Sequence, residues 1–449
     1  MTKFRNVSAT LGGILVAAAA LAPGLALAQD DGPKIDTGDT AWMLISTALV
    51  LMMTVPGVAL FYAGMVRKKN VLATMMQSFT ITALITVVWM VVGYSLAFGE
   101  GNAYIGDFSK VLLSGMGATW DKPFALGSGD AAVQTTIPET VFMMFQMTFA
   151  IITAALITGA VADRMKFSAL CIFMVLWSIL VYAPIAHMVW HPAGLMFGWG
   201  VLDFAGGTVV HINAGMAGLV AALTLGKRKG YGTENMAPFN LGLAVLGASL
   251  LWVGWFGFNA GSAVGAGARA GMAMAVTQIA AAAAAIAWML AEWIGKGKPS
   301  VLGVISGAVA GLVAITPASG FVLPGAALII GLVAGVVSFW ASTSLKHMLG
   351  YDDSLDAWGV HGVAGIIGAL LVGFLSYGPL SATTATPEGY PGGMAQFILQ
   401  VKGVGVTLVF TAVVTFVLLK LVDLMVGLRV ADDEEVEGLD VALHGERLG

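Results

Sequence analysis

Along most of the chain, long apolar runs alternate with short polar breaks. Runs of about 20 apolar residues match the thickness of a bilayer's hydrocarbon core. Such runs fall at 41–66, 71–98, 139–162, 167–190, 206–226, 238–260, 271–294, 300–317, 324–346, 357–377 and 403–427. The pattern predicts an all-α membrane protein with eleven transmembrane helices. Small residues recur at a spacing of four in Gly303/Gly307/Gly311 and Gly331/Gly335, which suits close helix packing.

Composition agrees. Only 10% of residues are charged, less than half the roughly 25% of soluble domains. The 59 glycines fit a chain whose helix backbones approach closely. A net charge of -4 gives no reason to expect nucleic acid or another polyanion as partner. The single cysteine, Cys171, excludes a disulfide framework and a Cys-based zinc site.

The first segment is read separately. Lys3 and Arg5 precede an apolar stretch from Val7 to Ala22, closed by Ala26-Leu27-Ala28. These are the parts of a signal peptide, 1–28. The alternative is an uncleaved first helix; Pro23 and Gly24, which interrupt the run, favour cleavage. The remainder divides into a transmembrane domain, 29–429, and a tail, 430–449, rich in acidic residues.

Basic residues orient the spans. One set of loops carries Arg67, Lys68, Lys69, Arg164, Lys166, Lys227, Arg228, Lys229, Lys296, Lys298 and Lys346; the alternate set holds Lys34, Lys110, Lys122, Arg269 and Lys402. The richer set is expected on the cytoplasmic side. That puts the mature N-terminus outside and the C-terminus inside.

An internal repeat is the most informative feature. Val210-His211-x-x-Ala214-Gly215-x-x-Gly218 recurs as Val360-His361-x-x-Ala364-Gly365-x-x-Gly368, with Asp203 and Asp353 each eight residues before the histidine. A weaker echo links Phe61-Tyr62-Ala63-Gly64 to Phe258-Asn259-Ala260-Gly261. Spans 1–5 therefore correspond to spans 6–10. An odd-numbered unit must re-enter from the opposite face, which makes the repeat inverted, with its working site near the midplane. Eight helical residues rise about 12 Å, so each histidine is carried inward from its own face and the two are expected to meet. An ionisable group at that depth is a functional candidate. A pair that merely ties two helices together is the plainer alternative, and the symmetry match favours function. Metal binding needs three or four ligands, and no Cys or Glu shares this depth, so neither a metal nor a cofactor is expected.

At these residues the sequence resembles the Amt/Mep/Rh ammonium transporters, and among them the bacterial Amt proteins. The resemblance runs from about Ala41 to Glu446. It rests on Pro56-Gly57-x-Ala59-Leu60-Phe61-Tyr62-x-Gly64, Ala186 to Trp190, Leu202 to Asn213, Gly254 to Ser262 and Gly359 to Gly362. It implies that His211 and His361 are twin pore histidines and that Phe145 and Phe258 are paired rings closing the outer pore. Trp190, Phe149 and Ser262 would form an external recruitment site, with Asp203 the buried carboxylate beside it. Taken singly, Trp190 also reads as an interfacial tryptophan, Ser262 as helix packing, Phe145 and Phe149 as core, and Asp203 as a helix N-cap. His191-Pro192 departs from the family pattern after Trp190, which leaves the shape of the outer vestibule open.

The expected function follows from the resemblance: an ammonium transporter or channel, not an enzyme, in the bacterial inner membrane. Ammonium is recruited outside and deprotonated near Asp203, and ammonia passes the histidines. Whether the proton follows is open. A sensor using the same site without flux is the alternative. The resemblance further implies a homotrimer, and a PII-type (GlnK-like) signalling protein docking near Glu437-Gly438-Leu439-Asp440-Val441. On composition alone that tail is a solvated, partly disordered segment.

Overall fold

The apolar runs fold as helices. The protein is described by a computed structural model that covers residues 34–382 and 386–449; the expected signal peptide, 1–28, lies outside the described residues. The spans are α1 (Thr37–Met65), α2 (Lys68–Phe98), α3 (Glu139–Val161), α4 (Phe167–Gly198), α5 (Gly207–Leu225), α6 (Leu241–Gly261), α7 (Ala268–Lys296), α8 (Val301–Ile315), α9 (Pro324–Leu349), α10 (Trp358–Leu375) and α11 (Met394–Val426). Ten are long and apolar enough to cross a membrane, and α8 is the short one. Its first turn is capped by the Ser300 side chain, which accepts from Gly303 N, and Pro317 follows its end. Among the described residues an antiparallel hairpin, β1 (Pro123–Leu126) with β2 (Val133–Pro138), is the departure from an all-helical chain. The last helix begins at Met394 rather than at 403. Gln396, Gln400 and Lys402 break the apolar run there, yet both glutamines are buried in the helix.

Glycine contacts express the inverted repeat. A Cβ added at Gly215 of α5 would lie 2.3 Å from Gly362 N of α10, and one at Gly365 of α10 would lie 3.0 Å from the Ile212 side chain of α5. Each contact joins the position four after one histidine to the position one after the other. A Cβ at Gly218 would lie 3.0 Å from the Ala160 side chain of α3, and one at its counterpart Gly368 would clash with the Ala314 carbonyl of α8. Likewise Gly64, ending α1, abuts Ala244 near the start of α6, while Gly261, ending α6, abuts Ser46 near the start of α1. Only hydrogen fits at these crossings, so the repeated glycines are the points where the two units interlock. The other small residues serve α7: Gly307 and Gly311 of α8, with Gly331 and Gly335 of α9, pack on its Ala280–Ala285 stretch and Trp288.

The basic loops gather at one end with the tail. Arg67 pairs with Asp163 (3.0 Å), and Arg228 pairs with Asp352 (2.8 Å) and more weakly with Asp163 (3.4 Å). The tail departs from the solvated segment its composition suggests. It forms α12 (Asp432–Glu437) and α13 (Leu439–His444), with Glu435, Leu439 and Asp440 buried. Arg429 bonds Glu435 (2.7 Å), Lys69 Nζ donates to the Glu435 and Val436 carbonyls, and Ala73 N donates to Asp440 (2.7 Å). The buried Glu435 is therefore held by Arg429 and the Lys229 N–H, and one oxygen of Asp440 by Ala73 N, partners that a reading of the tail by itself could not supply.

Candidate functional site

Two matched segments deliver the histidines. Asp203 precedes α5, and its carboxylate accepts four backbone N–H bonds: Gly206 (2.9 Å) and Gly207 (2.6 Å) on Oδ1, Thr208 (2.9 Å) and Val209 (3.0 Å) on Oδ2. Asp353 caps α10 through Ala357 N (3.1 Å) and Trp358 N (2.7 Å). Each cap satisfies donors that a helix start leaves orphaned. The first turns beyond them are wide π-helical turns, Gly207–Ile212 and Trp358–Val363, and each contains its histidine. Such turns are rare and concentrate at working sites.

The histidines meet, although the helical rise expected from Asp203 and Asp353 does not carry them: the helices begin only at Gly207 and Trp358. Nδ1 of His361 lies 3.3 Å from Nδ1 of His211, with ring centroids 5.4 Å apart and planes 14° from parallel. One Nδ1 carries the shared proton, since a neutral imidazole has one donor and one acceptor nitrogen. Both residues are buried, and His211 Nε2 has no hydrogen-bond partner among the described residues. Trp255 stacks on the other side of His211 (5.3 Å, 18°). Sequence reasoning missed Trp255, although it sits three residues before Phe258 and shares its helix face.

The aromatic pairing corrects one expectation. The ring stacked on Phe258 is Phe149 (4.2 Å, 25°), not Phe145. Phe149 also meets the Trp190 edge (5.7 Å, 86°), and Phe258 leans toward His211 (5.9 Å). Phe145 lies one turn away, edge-on to Phe149 (4.9 Å) and against Gly261. Positions four apart on α3 share a face, so spacing cannot say which is level with a ring on α6. Trp190 is half-buried and donates its indole N–H to the Asp203 carbonyl (3.0 Å). Ser262, also half-buried, donates to the Phe258 carbonyl (2.8 Å), which leaves its oxygen free to accept. The row therefore runs from Trp190 through Phe149 and Phe258 to His211 and His361.

Asp203 itself is boxed in. Burial pushes its carboxyl above the usual range, and the four N–H bonds oppose that shift. With both oxygens saturated, it is better suited to hold a helix start and a negative charge than to take a proton. Nor are His187 and His191 the interfacial or solvated residues their position suggests. They are buried and stacked (4.6 Å, 13°), with His187 held between the Ala97 and Asn102 carbonyls.

Comparison with known proteins gives this row its context. The model of the Ammonium Transporter Family matches residues 41–448. An ammonium transporter of Bacillus subtilis is 49% identical over 411 residues, covering 91% of this chain and 98% of the relative. The crystal structure of Saccharomyces cerevisiae Mep2 superposes with a TM-score of 0.78 at 34% identity, covering 89% of this chain and 91% of that one. A structure described as a sensor Amt protein gives 0.81 at 27% identity, covering 91% and 98%. On the match across the eleven helices and the extent of these relatives, the chain belongs to the Ammonium Transporter Family.

Proposed function

We propose that this protein carries ammonium across a bacterial plasma membrane by recruiting the cation at Trp190, Phe149 and Ser262, shedding its proton near Asp203 and passing ammonia along His211 and His361. Moving a bare cation through an apolar bore costs tens of kcal/mol in lost hydration, and neutral ammonia avoids most of that. Trp190 offers a ring face that attracts a small cation by about 0.5–2 kcal/mol, and Ser262 offers an acceptor oxygen. Phe149 and Phe258 are read as the gate between this vestibule and the histidines. The observation that carries the reading is His211 Nε2, buried without a partner beside the stacked rings. An unpaired imidazole nitrogen there can exchange hydrogen bonds with ammonia, which both donates and accepts.

The basic, tail-bearing end is read as cytoplasmic, the assembly as a homotrimer, and the docked tail as the surface met by a PII-type protein. Methylammonium uptake into proteoliposomes tests the central reading. Uptake by the wild type, lost in both His211→Ala and His361→Ala, is expected; unchanged uptake in both variants overturns the pore assignment. Ammonium-dependent current in planar bilayers then separates charge-coupled from neutral transport. A second reading, a sensor that binds ammonium without flux, is favoured by the likeness to the sensor Amt structure. Binding without uptake would select it.

A further inference from the structure

The helix outside the repeat carries a row of buried polar residues: Gln396, Gln400, Thr407, Thr411 and Thr415 of α11. Two of them grip the residues that frame the pore helix α5. Gln400 Oε1 accepts from Leu202 N (2.7 Å), and its Nε2 donates to Leu202 O (2.8 Å) and to Ala369 O of α10 (2.9 Å). One side chain thus satisfies both polar groups of the residue directly before Asp203 and ties it to the His361 helix. Gln396, one turn earlier, donates to Gly200 O (2.8 Å). Beyond His211, Thr411 donates to Asn213 Oδ1 (2.7 Å), and Asn213 Nδ2 donates in turn to Val209 O (3.1 Å). The stretch 201–203 is buried and outside any helix or strand, so without Gln400 the Leu202 N–H and C=O would be orphaned in an apolar setting.

We infer that Gln400 is a positioning residue for the outer site. By fixing the Leu202 peptide, it sets the Asp203 carbonyl that accepts the Trp190 indole and the carboxylate that starts α5. The inference rests on the transport reading for its kinetic consequence only; the placement of Trp190 can be read without flux.

The test uses the full chain with Gln400→Met, of similar length but apolar, and Gln400→Glu. In ¹⁵N spectra of the purified protein, the Trp190 indole N–H is assigned by its loss in Trp190→Phe. Gln400→Met is expected to shift or broaden that signal and leave the distant Trp293 indole in place. In proteoliposomes the same variant is expected to raise the apparent KM for methylammonium by about tenfold, with a smaller effect on the maximal rate. Gln400→Glu at mildly acid pH presents one donor and one acceptor to Leu202 and is expected to regain most of the affinity. An unmoved Trp190 signal in a folded Gln400→Met protein overturns the inference, as does an unchanged KM where the wild type transports. Absence of uptake by the wild type would instead sink the transport reading, and the indole signal would still decide the role of Gln400.

Discussion

Asp203→Asn is the most informative single perturbation, because the four N–H groups at the start of α5 divide evenly between the two carboxylate oxygens. An asparagine oxygen in place of Oδ1 keeps the Gly206 and Gly207 bonds. Its amide nitrogen then faces the Thr208 and Val209 N–H groups and orphans both. Each buried donor left unpaired costs about 1–3 kcal/mol, so the substitution is expected to destabilise by roughly 2–6 kcal/mol. Asp203→Ala orphans all four donors and is expected to cost about twice as much, less whatever water recovers. The assay is apparent thermal stability in detergent, in the order wild type, Asn, Ala, read at one scan rate because such unfolding is commonly irreversible. The cap also sets the height of His211 eight residues on, so methylammonium uptake by folded Asp203→Asn protein should fall as well. A Tm for Asp203→Ala equal to wild type would refute the claim that this carboxylate holds the helix start.

Three further outcomes are expected. Gly215→Ala places a methyl 2.3 Å from Gly362 N. It should cost at least about 1–3 kcal/mol and open the His211–His361 contact, whereas Gly405→Ala, which meets nothing within 4 Å, should be neutral; equal melting temperatures for the two would disprove the crossing argument. Phe258→Ala removes the ring stacked on Phe149 and should weaken discrimination against potassium in liposome flux assays, so preserved selectivity would count against a gate. Burial pushes the Asp352 carboxyl up, but the Arg228 hydrogen bonds and charge, with Arg164 beside it, outweigh that and hold it below the usual range. A depressed folded pKa contributes stability above the unfolded value of about 3.9 and loses it as pH falls through the folded value. Wild type should therefore weaken below about pH 4, while Arg228→Gln should be less stable near neutrality by about 3–5 kcal/mol, with a flatter acid limb. An identical acid limb in the two proteins would show that this pair does not set it.

Much of this protein was legible in one dimension, because a bilayer imposes length and polarity on every span regardless of its neighbours. The apolar runs fixed the eleven helices, and the repeated His-x-x-x-Gly units implied two inverted halves. The same repeat set His211 opposite His361, but how each is carried inward was not legible, because the helices begin only at Gly207 and Trp358 rather than at the aspartates. Tertiary structure decided what depends on the relative height and rotation of separate helices. It paired Phe149 rather than Phe145 with Phe258, laid Trp255 on His211, and buried His187 against His191. It also lengthened α11 through Gln396 and Gln400, which are polar in sequence but paired with the Leu202 segment in space, and folded an acidic tail onto cations more than 350 residues away. A side chain's partner across a helix interface leaves no periodic trace in its own run, so only packing could reveal it.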